Sequence, residues 1–346
     1  MNRESFSTAF RKSRVVLALL TIFIFAAGSI SAAPARAAQE AMDANSKVHI
    51  YHVQGNVYML IEPTNNITVE IGDQYVIVVD TGVEALADDV ISAIKSLSNL
   101  PIMFVVNTGP DEDHIGGNTK LSQAGWALPN AGNTGANPEA GLEVATKARL
   151  AAGASITGYT DNIVRTTAGK MASNAVTYGD EGFTLSNKEP VLFYHLRAAH
   201  TDGDSVVFFR RSDVISVGEL FSPDSYPVIE TDKGGTLNGL IDAVNDIIVM
   251  MVPQLNEEGG TYAIPGHGHL CDRNDVVNYR DMLTIIRGRV QDMVRKGMKL
   301  EQVKAAKPSF DYDKLYGSST GPASTDKFIE TVYHEVAKDK VQQGKN

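Results

Sequence analysis

From residue 48 to residue 80 apolar positions come in short blocks, "VHIYHVQGNVYMLIE" and "ITVEIGDQYVIVVD", with Gly55-Asn56 and Gly72-Asp73 between them. Runs of β-branched and aromatic residues separated by turn residues predict paired strands. The period then changes. Across "VEALADDVISAIKSLS" (83–98), Leu86, Val90, Ile94 and Leu97 recur at three- and four-residue steps, which predicts a helix with one apolar face. "IMFVVN" (102–107) is an unbroken apolar block of buried-strand type.

The second half repeats the alternation. "PVLFYHLRA" (190–198), "SVVFFRR" (205–211) and "DVISVGELF" (213–221) read as strands, "LNGLIDAVNDIIVMMVP" (237–253) as a helix, and "TYAIPGHGH" (261–269) as a strand running into a turn. From Asp275 to Lys307 the pattern is helical, with Tyr279, Met282, Ile285, Ile286, Val290 and Met293 on one face. Between the halves, "ALPNAGNTGANPEAGLE" (126–142) is rich in Gly, Asn, Pro and Ala and predicts a surface loop, a flap feeding a helix through "VATKARLAAG". No repeat with a period of 20–50 residues stands out, which argues against a solenoid or a propeller. Strands alternating with helices predict an α/β layer structure in one domain.

The N-terminus departs from this pattern. Arg3, Arg11, Lys12 and Arg14 precede the apolar run "VVLALLTIFIFAAG" (15–28), and Ala35 and Ala37 frame a cleavage point. The run is short for a bilayer crossing, which takes about 20 residues. Residues 1–37 are therefore expected to be a signal peptide, and the mature chain periplasmic or secreted without stable membrane insertion. Residues 1–37 hold five of the 31 Lys+Arg and one of the 41 Asp+Glu, so the remainder carries net −14. That balance disfavours nucleic acid as a partner and leaves a small-molecule substrate open. Cys271 is the sole cysteine, so stability rests on the core and not on an internal disulfide.

Imidazole and carboxylate groups collect in four turns, each at the end of a strand-like run: Asp111, Asp113 and His114 in "NTGPDEDHIGGN", His200 in "AAHTDGDS", Glu219 in "SVGELF" and His267 in "IPGHGH". Nitrogen and oxygen ligands of this kind hold a divalent ion, and an open coordination position makes water a nucleophile near neutral pH. His269 and Cys271 lie close in sequence to His267; Cys271 reads as a small buried residue and His269 as facing away. His49, His52, His195 and His334 have no partner pattern. Tyr226 and Trp126 are candidate substrate-contacting aromatics, and Gly116 and Gly117 are expected where the backbone packs closely after the metal turn.

Taken in order, "VVDTG … NTGPDEDHIGGN … AAHTDGDS … VGELF … PGHGH" resembles the metallo-β-lactamase-fold superfamily over residues 48–275, and the tail resembles C-terminal helices of an exported branch. The resemblance implies a four-layer αββα sandwich over residues 38–346, with a helical extension from residue 275. The family motif is His-x-His-x-Asp-His followed by Gly-Gly-Asn. Its first histidine falls on Gly109 and its second on Asp111; Asp113, His114, Gly116, Gly117 and Asn118 match. The third histidine falls on His200, the last on His267, the bridging aspartate on Glu219, and a structural aspartate on Asp80.

By that correspondence one metal site is complete in Asp113, His114 and His267 with Glu219 nearby. The other has lost a ligand to Gly109 and keeps Asp111 and His200, with Glu219 in reach. Zinc is the expected cofactor, one ion or two. The added carboxylates harden the site and bring manganese or iron into range. The function this implies is an exported metal-dependent hydrolase of an ester, lactone, amide or phosphoester, with Asp111 and Asp113 as its catalytic carboxylates. Glu112 is an alternative proton acceptor that the family pattern points away from the metals. The alternative function is a small-molecule-binding protein that kept the fold and lost the chemistry; Gly109 and Asp111 speak for it.

Overall fold

The strand-like runs assemble into two sheets. The structure of the protein is a computed structural model that describes residues 47–126, 153–160, 175–186, 188–254 and 259–343, all within one unit, Asn45–Asn346. The expected signal peptide, the loop and helix expected over 127–152, and any roof they would make over a pocket lie outside the described residues.

The first sheet runs β1 (His49–Gln54), β2 (Val57–Ile61), β3 (Asn66–Ile71), β4 (Val76–Val79), β5 (Ile102–Val106), β6 (Ser155–Tyr159) and β7 (Ala175–Tyr178), in that spatial order. β1 to β4 pair antiparallel, as tight turns at Gly55-Asn56 and Gly72-Asp73 require. β4 to β7 pair parallel, and the connection from β4 to β5 is the helix α1 (Ala87–Leu97). The second sheet contains β8 (Glu181–Ser186), β9 (Glu189–His195), β10 (Ser205–Phe209), β11 (Val214–Gly218) and β12 (Tyr262–Pro265), in the order 12-11-10-9-8. Only β11 and β12 pair parallel, joined through α4 (Leu237–Met250); the short helices α2 (Glu112–Ile115) and α3 (Asn118–Ala124) come earlier in the chain.

Strand alternation sorts the apolar residues into three interfaces, and three interfaces separate four layers. Val76 and Val78 of β4 face outward with Leu60, Ile67 and Val105, where they pack on Val90 and Ile94 of α1 and Leu121 of α3. Ile77 and Val79 face the other way and meet Val207, Phe209, Val214 and Ile264 of the second sheet. On the far side of that sheet Val206, Phe208, Ile215 and Val217 pack on α4 and on α5 (Arg273–Arg295), with Phe328 and Val332 of the C-terminal helix α8 (Thr325–Gln343) behind them. The result is helix, sheet, sheet, helix, as the resemblance implied.

Two expectations are corrected, and three strands come in addition. The helix expected over 275–307 is broken: α5 ends at Arg295, Gly297 takes a left-handed φ of 80°, and α6 (Leu300–Ala305) starts afresh before α7 (Asp313–Tyr316). Ile285, assigned to the apolar face, is 40% exposed, because the buried stripe of α5 runs through Val276, Leu283 and Val294 instead. Strands β6 to β8 did not stand out in the sequence; "SITGY" has little apolar content and pairs because β5 offers it a parallel edge. Among the described residues no helix is long and apolar enough to cross a membrane.

Candidate metal centre

β5 delivers the acidic turn. After Val106 the chain leaves the sheet, Asp111 stands in extended conformation at the N-cap of α2, and Glu112 to Ile115 make one short helical turn. The Gly116-Gly117-Asn118 segment lets this turn lie flat against the loop after β4. A Cβ on Gly117 would come within 2.5 Å of the Thr81 carbonyl, so only glycine fits there. Asn118 and Asn107 exchange side-chain hydrogen bonds at 2.9 and 3.0 Å, which ties the two ends of the turn together.

His114 is buried and bonded at both ring nitrogens. Its Nδ1 donates to Asp80 Oδ2 at 2.8 Å and its Nε2 to Glu219 Oε1 at 2.8 Å. Asp80 is itself fixed by the amide and hydroxyl of Thr108, at 2.9 and 2.7 Å. Burial opposes protonation of His114, but the Asp80 and Glu219 carboxylates outweigh it and hold the ring's pKa well above the usual value. His267 enters from the end of β12. Its Nδ1 donates to the Thr64 carbonyl at 2.5 Å, and its Nε2 lies 2.6 Å from Glu219 Oε1 and 3.4 Å from Asp113 Oδ2. Hydrogen bonds to Asp113 and Glu219 push the His267 pKa up to about 10. Burial alone would raise the pKa of Glu219; hydrogen bonds from the two histidines win and hold its carboxyl well below the usual range.

One donor atom from each of Asp113, His114, Glu219 and His267 lies within 4.8 Å of the others. Both imidazoles are anchored through Nδ1, on a carboxylate and a carbonyl, so both present Nε2 inward. That is how a protein orients histidines toward a metal. Two nitrogens and two carboxylates are a donor set that zinc, manganese or iron accepts. These residues fit a divalent ion.

Asp111 and His200 meet beside this group, with two residues the sequence had not singled out. His200 Nδ1 donates to the Val228 carbonyl at 2.8 Å, and Nε2 faces Asp111 Oδ2 at 3.0 Å. The other Asp111 oxygen accepts from Lys233 Nζ at 3.0 Å, and Lys233 also pairs with Glu230. Burial disfavours the charged His200, yet its bond to Asp111 and the nearby Asp204 and Glu219 carboxylates bring its pKa up to about 9. Asp111 is desolvated too, and the cations of His200 and Lys233 pull its pKa below the usual value nonetheless. Asp111, His200 and Glu230 form a second set of donor atoms within 4.8 Å. No spacing rule marks Glu230 or Lys233. They reach the site because a 3₁₀ turn, Thr231–Lys233, folds back over His200.

Asp113, Glu219 and His267 of the first group and Asp111, His200 and Glu230 of the second line a cleft of about 890 Å³ whose walls also include Glu84, Glu112, Tyr226, Val228, Pro322 and Ala323, with His114 buried behind it. The structure places the remaining candidates as follows. Tyr226 is buried and donates its hydroxyl to Asp313 at 2.9 Å, so it is wall rather than a free contact. Trp126 stands at the wrong end of β5: its amide bonds the Ile102 carbonyl, one strand length from the metal turn, because α3 runs back along the sheet. His269 turns outward onto Asp224 at 3.2 Å, and Cys271 is buried.

The architecture is similar to that of a solved alkylsulfatase. The sec-alkylsulfatase Pisa1 from Pseudomonas sp. superposes with a TM-score of 0.57 at 12% identity over 83% of this chain, and the chain spans half the length of that enzyme. A metallo-β-lactamase from Pontibacter korlensis (13% identity, TM-score 0.49) aligns with 68% of this chain and 99% of its own. The metallo-β-lactamase FIM-1 from Pseudomonas aeruginosa, in its mono-zinc form, aligns with 68% of this chain and 95% of its own at 16% identity and a TM-score of 0.48. No curated protein matches the chain. The family model of the metallo-β-lactamase superfamily matches residues 59–254, more than half of the sequence, a span that holds β3 to β11, the metal turn and the carboxylate of Glu219: the chain belongs to the metallo-β-lactamase superfamily.

Proposed function

We propose that this protein is an exported metal-dependent hydrolase whose ion is held by Asp113, His114, His267 and Glu219. The observation that carries the reading is the convergence of those four donors, with both histidines oriented through Nδ1 and with Asp113, Glu219 and His267 on the wall of the cleft. A divalent ion there supplies Lewis acidity, which makes water nucleophilic near neutral pH. Zinc is the expected ion, with manganese and iron as alternatives.

The chain's own residues do the rest. Asp80 and the Thr64 carbonyl fix the two imidazoles, and Glu219 sits between them. Asp111 has both oxygens engaged, by His200 and Lys233, and its 19% exposure leaves it little access to solvent. Asp113 is 39% exposed and faces His267 through Oδ2, so its other oxygen, Oδ1, is the one we assign to accept the proton from the attacking water. Export is part of the proposal because of the basic start, the apolar run 15–28 and the small residues to Ala37; the mass of the mature chain should place its first residue at position 38.

Purification without chelator, followed by elemental mass spectrometry, tests the reading. We expect about one ion per chain, lost in His114→Ala, together with hydrolysis of at least one ester, lactone, amide or phosphoester. No bound zinc, manganese or iron after reconstitution would sink the proposal. Bound metal without turnover on any substrate class would favour the second reading, a binding protein. In support of that reading, the Asp111–His200–Glu230–Lys233 cluster is charge-balanced by its own side chains.

A further inference from the structure

Asp111, His200 and Glu230 gather three donor atoms, yet a fourth group stands among them. Lys233 Nζ lies 3.0 Å from Asp111 Oδ1 and pairs with Glu230. We propose that the Lys233 ammonium takes the place of the superfamily's first metal ion, so that this is a one-ion centre with a built-in second cation. The inference rests on the reading that the Asp113–His114–His267–Glu219 group holds an ion.

Three observations carry it. Lys233 holds one oxygen of Asp111 and one of Glu230, and the other Asp111 oxygen is engaged by His200, so a second ion would compete for oxygens already in use. Gly109 supplies no donor where the family motif has a histidine, although a Cβ there would meet nothing nearer than Asp111 Oδ2 at 4.0 Å. The ligand was not crowded out; the space is open. Finally, the lysine is held by its backbone, not merely near by chance. Glu230 N donates to the His200 carbonyl at 2.9 Å, Lys233 N to Glu230 O at 2.9 Å, and Asp202 N to Lys233 O at 3.0 Å. Gly234, at φ 86°, closes the turn. The loop that carries His200, between β9 and β10, and the loop that carries Lys233, after β11, are thus bonded to each other, and this aims the ammonium at Asp111.

One ammonium against two carboxylates leaves a single net negative charge, whereas a divalent ion among them would have to displace Lys233 or share its oxygens against like-charge repulsion. Removing the ammonium should therefore convert the cluster into a second metal site of two carboxylates and one imidazole, a hard donor set that still admits zinc.

The test is zinc stoichiometry by calorimetry and elemental analysis on wild type, Lys233→Met and Lys233→Arg, with circular dichroism to check the fold. The expected result is one zinc per chain in wild type and in Lys233→Arg. Lys233→Met should bind a second zinc at least tenfold more tightly than wild type does, and its melting temperature should rise as that zinc is added. Two zinc ions in wild type, or a single one in folded Lys233→Met, would overturn the inference and leave the hydrolase reading standing. No zinc in any of the three would overturn both. Should Lys233→Met not fold, Lys233→Gln replaces it, and the wild-type count alone still separates one ion from two.

Discussion

Asp80 shows how much of the centre depends on a residue that does not itself join it. Its φ of 61° is left-handed, a conformation aspartate and asparagine tolerate better than most residues, and its carboxylate holds His114 Nδ1 at 2.8 Å. Asp80→Asn keeps the backbone and weakens the anchor, so metal affinity should fall about tenfold to a hundredfold in a competition titration with a chromophoric chelator. Glu62 gives a second prediction at this scale. It is buried beneath the metal turn, next to Asn65, whose side chain donates to the Asp113 carbonyl at 2.7 Å. Burial lifts its pKa from 4.5 to about 7 in spite of hydrogen bonds from Val83 and Asn65. The folded state binds this proton more tightly, so the stabilisation is complete below pH 4.5 and is lost as pH rises through 7. Urea melts at pH 5 and pH 8 should show that slope in wild type and not in Glu62→Gln, which gains about 2 kcal/mol over wild type at the higher pH. Asp113, His114, Glu219 and His267 were legible because each follows a strand-like run at a recognisable spacing. Lys233 and Glu230 were not, since what brings Lys233 to Asp111 is a turn 122 residues further along the chain, and no local pattern encodes that approach.

Among the elements, the helices on the outer face of the second sheet do more than cover it. Tyr226, which walls the cleft, stacks on Phe328 of α8 with ring centroids 4.7 Å apart, and its hydroxyl reaches Asp313 of α7. The C-terminal helices therefore set the position of a cleft wall. Phe328→Ala removes a fully buried ring and should cost about 3–5 kcal/mol in chemical denaturation, with a change in KM larger than any change in metal content. A mutant that loses metal in proportion to stability would show instead that wall and centre fail together. The period-2 and period-3.6 patterns disclosed β2 to β5, β9 to β12, α1 and α4 because each buries a continuous stripe. They missed β6, whose pairing is decided by the neighbouring β5, and the break after α5, which hangs on the single residue Gly297.

Over the whole molecule the sign of the charge should be the main filter on substrates of the proposed hydrolase. Glu84, Glu112, Asp111, Asp113 and Glu230 all line the cleft, in a chain whose net charge is −10 before any processing. An anionic ester should turn over more slowly than a neutral isostere at low salt, with kcat/KM rising severalfold between about 10 and 300 mM salt as the field is screened. A rate for the anion that is highest at low salt would mean that the ion and Lys233 dominate the cleft instead. The position of the centre has a kinetic consequence as well. Asp113 and His114 follow a strand of the first sheet, whereas Glu219 and His267 follow two strands of the second. An ion held by all four would rivet the two layers together, and they could not slide apart until it left. Its main effect should then be on how long the native state lasts: in a denaturant jump, chelated protein should unfold faster than metal-loaded protein while refolding at nearly the same rate.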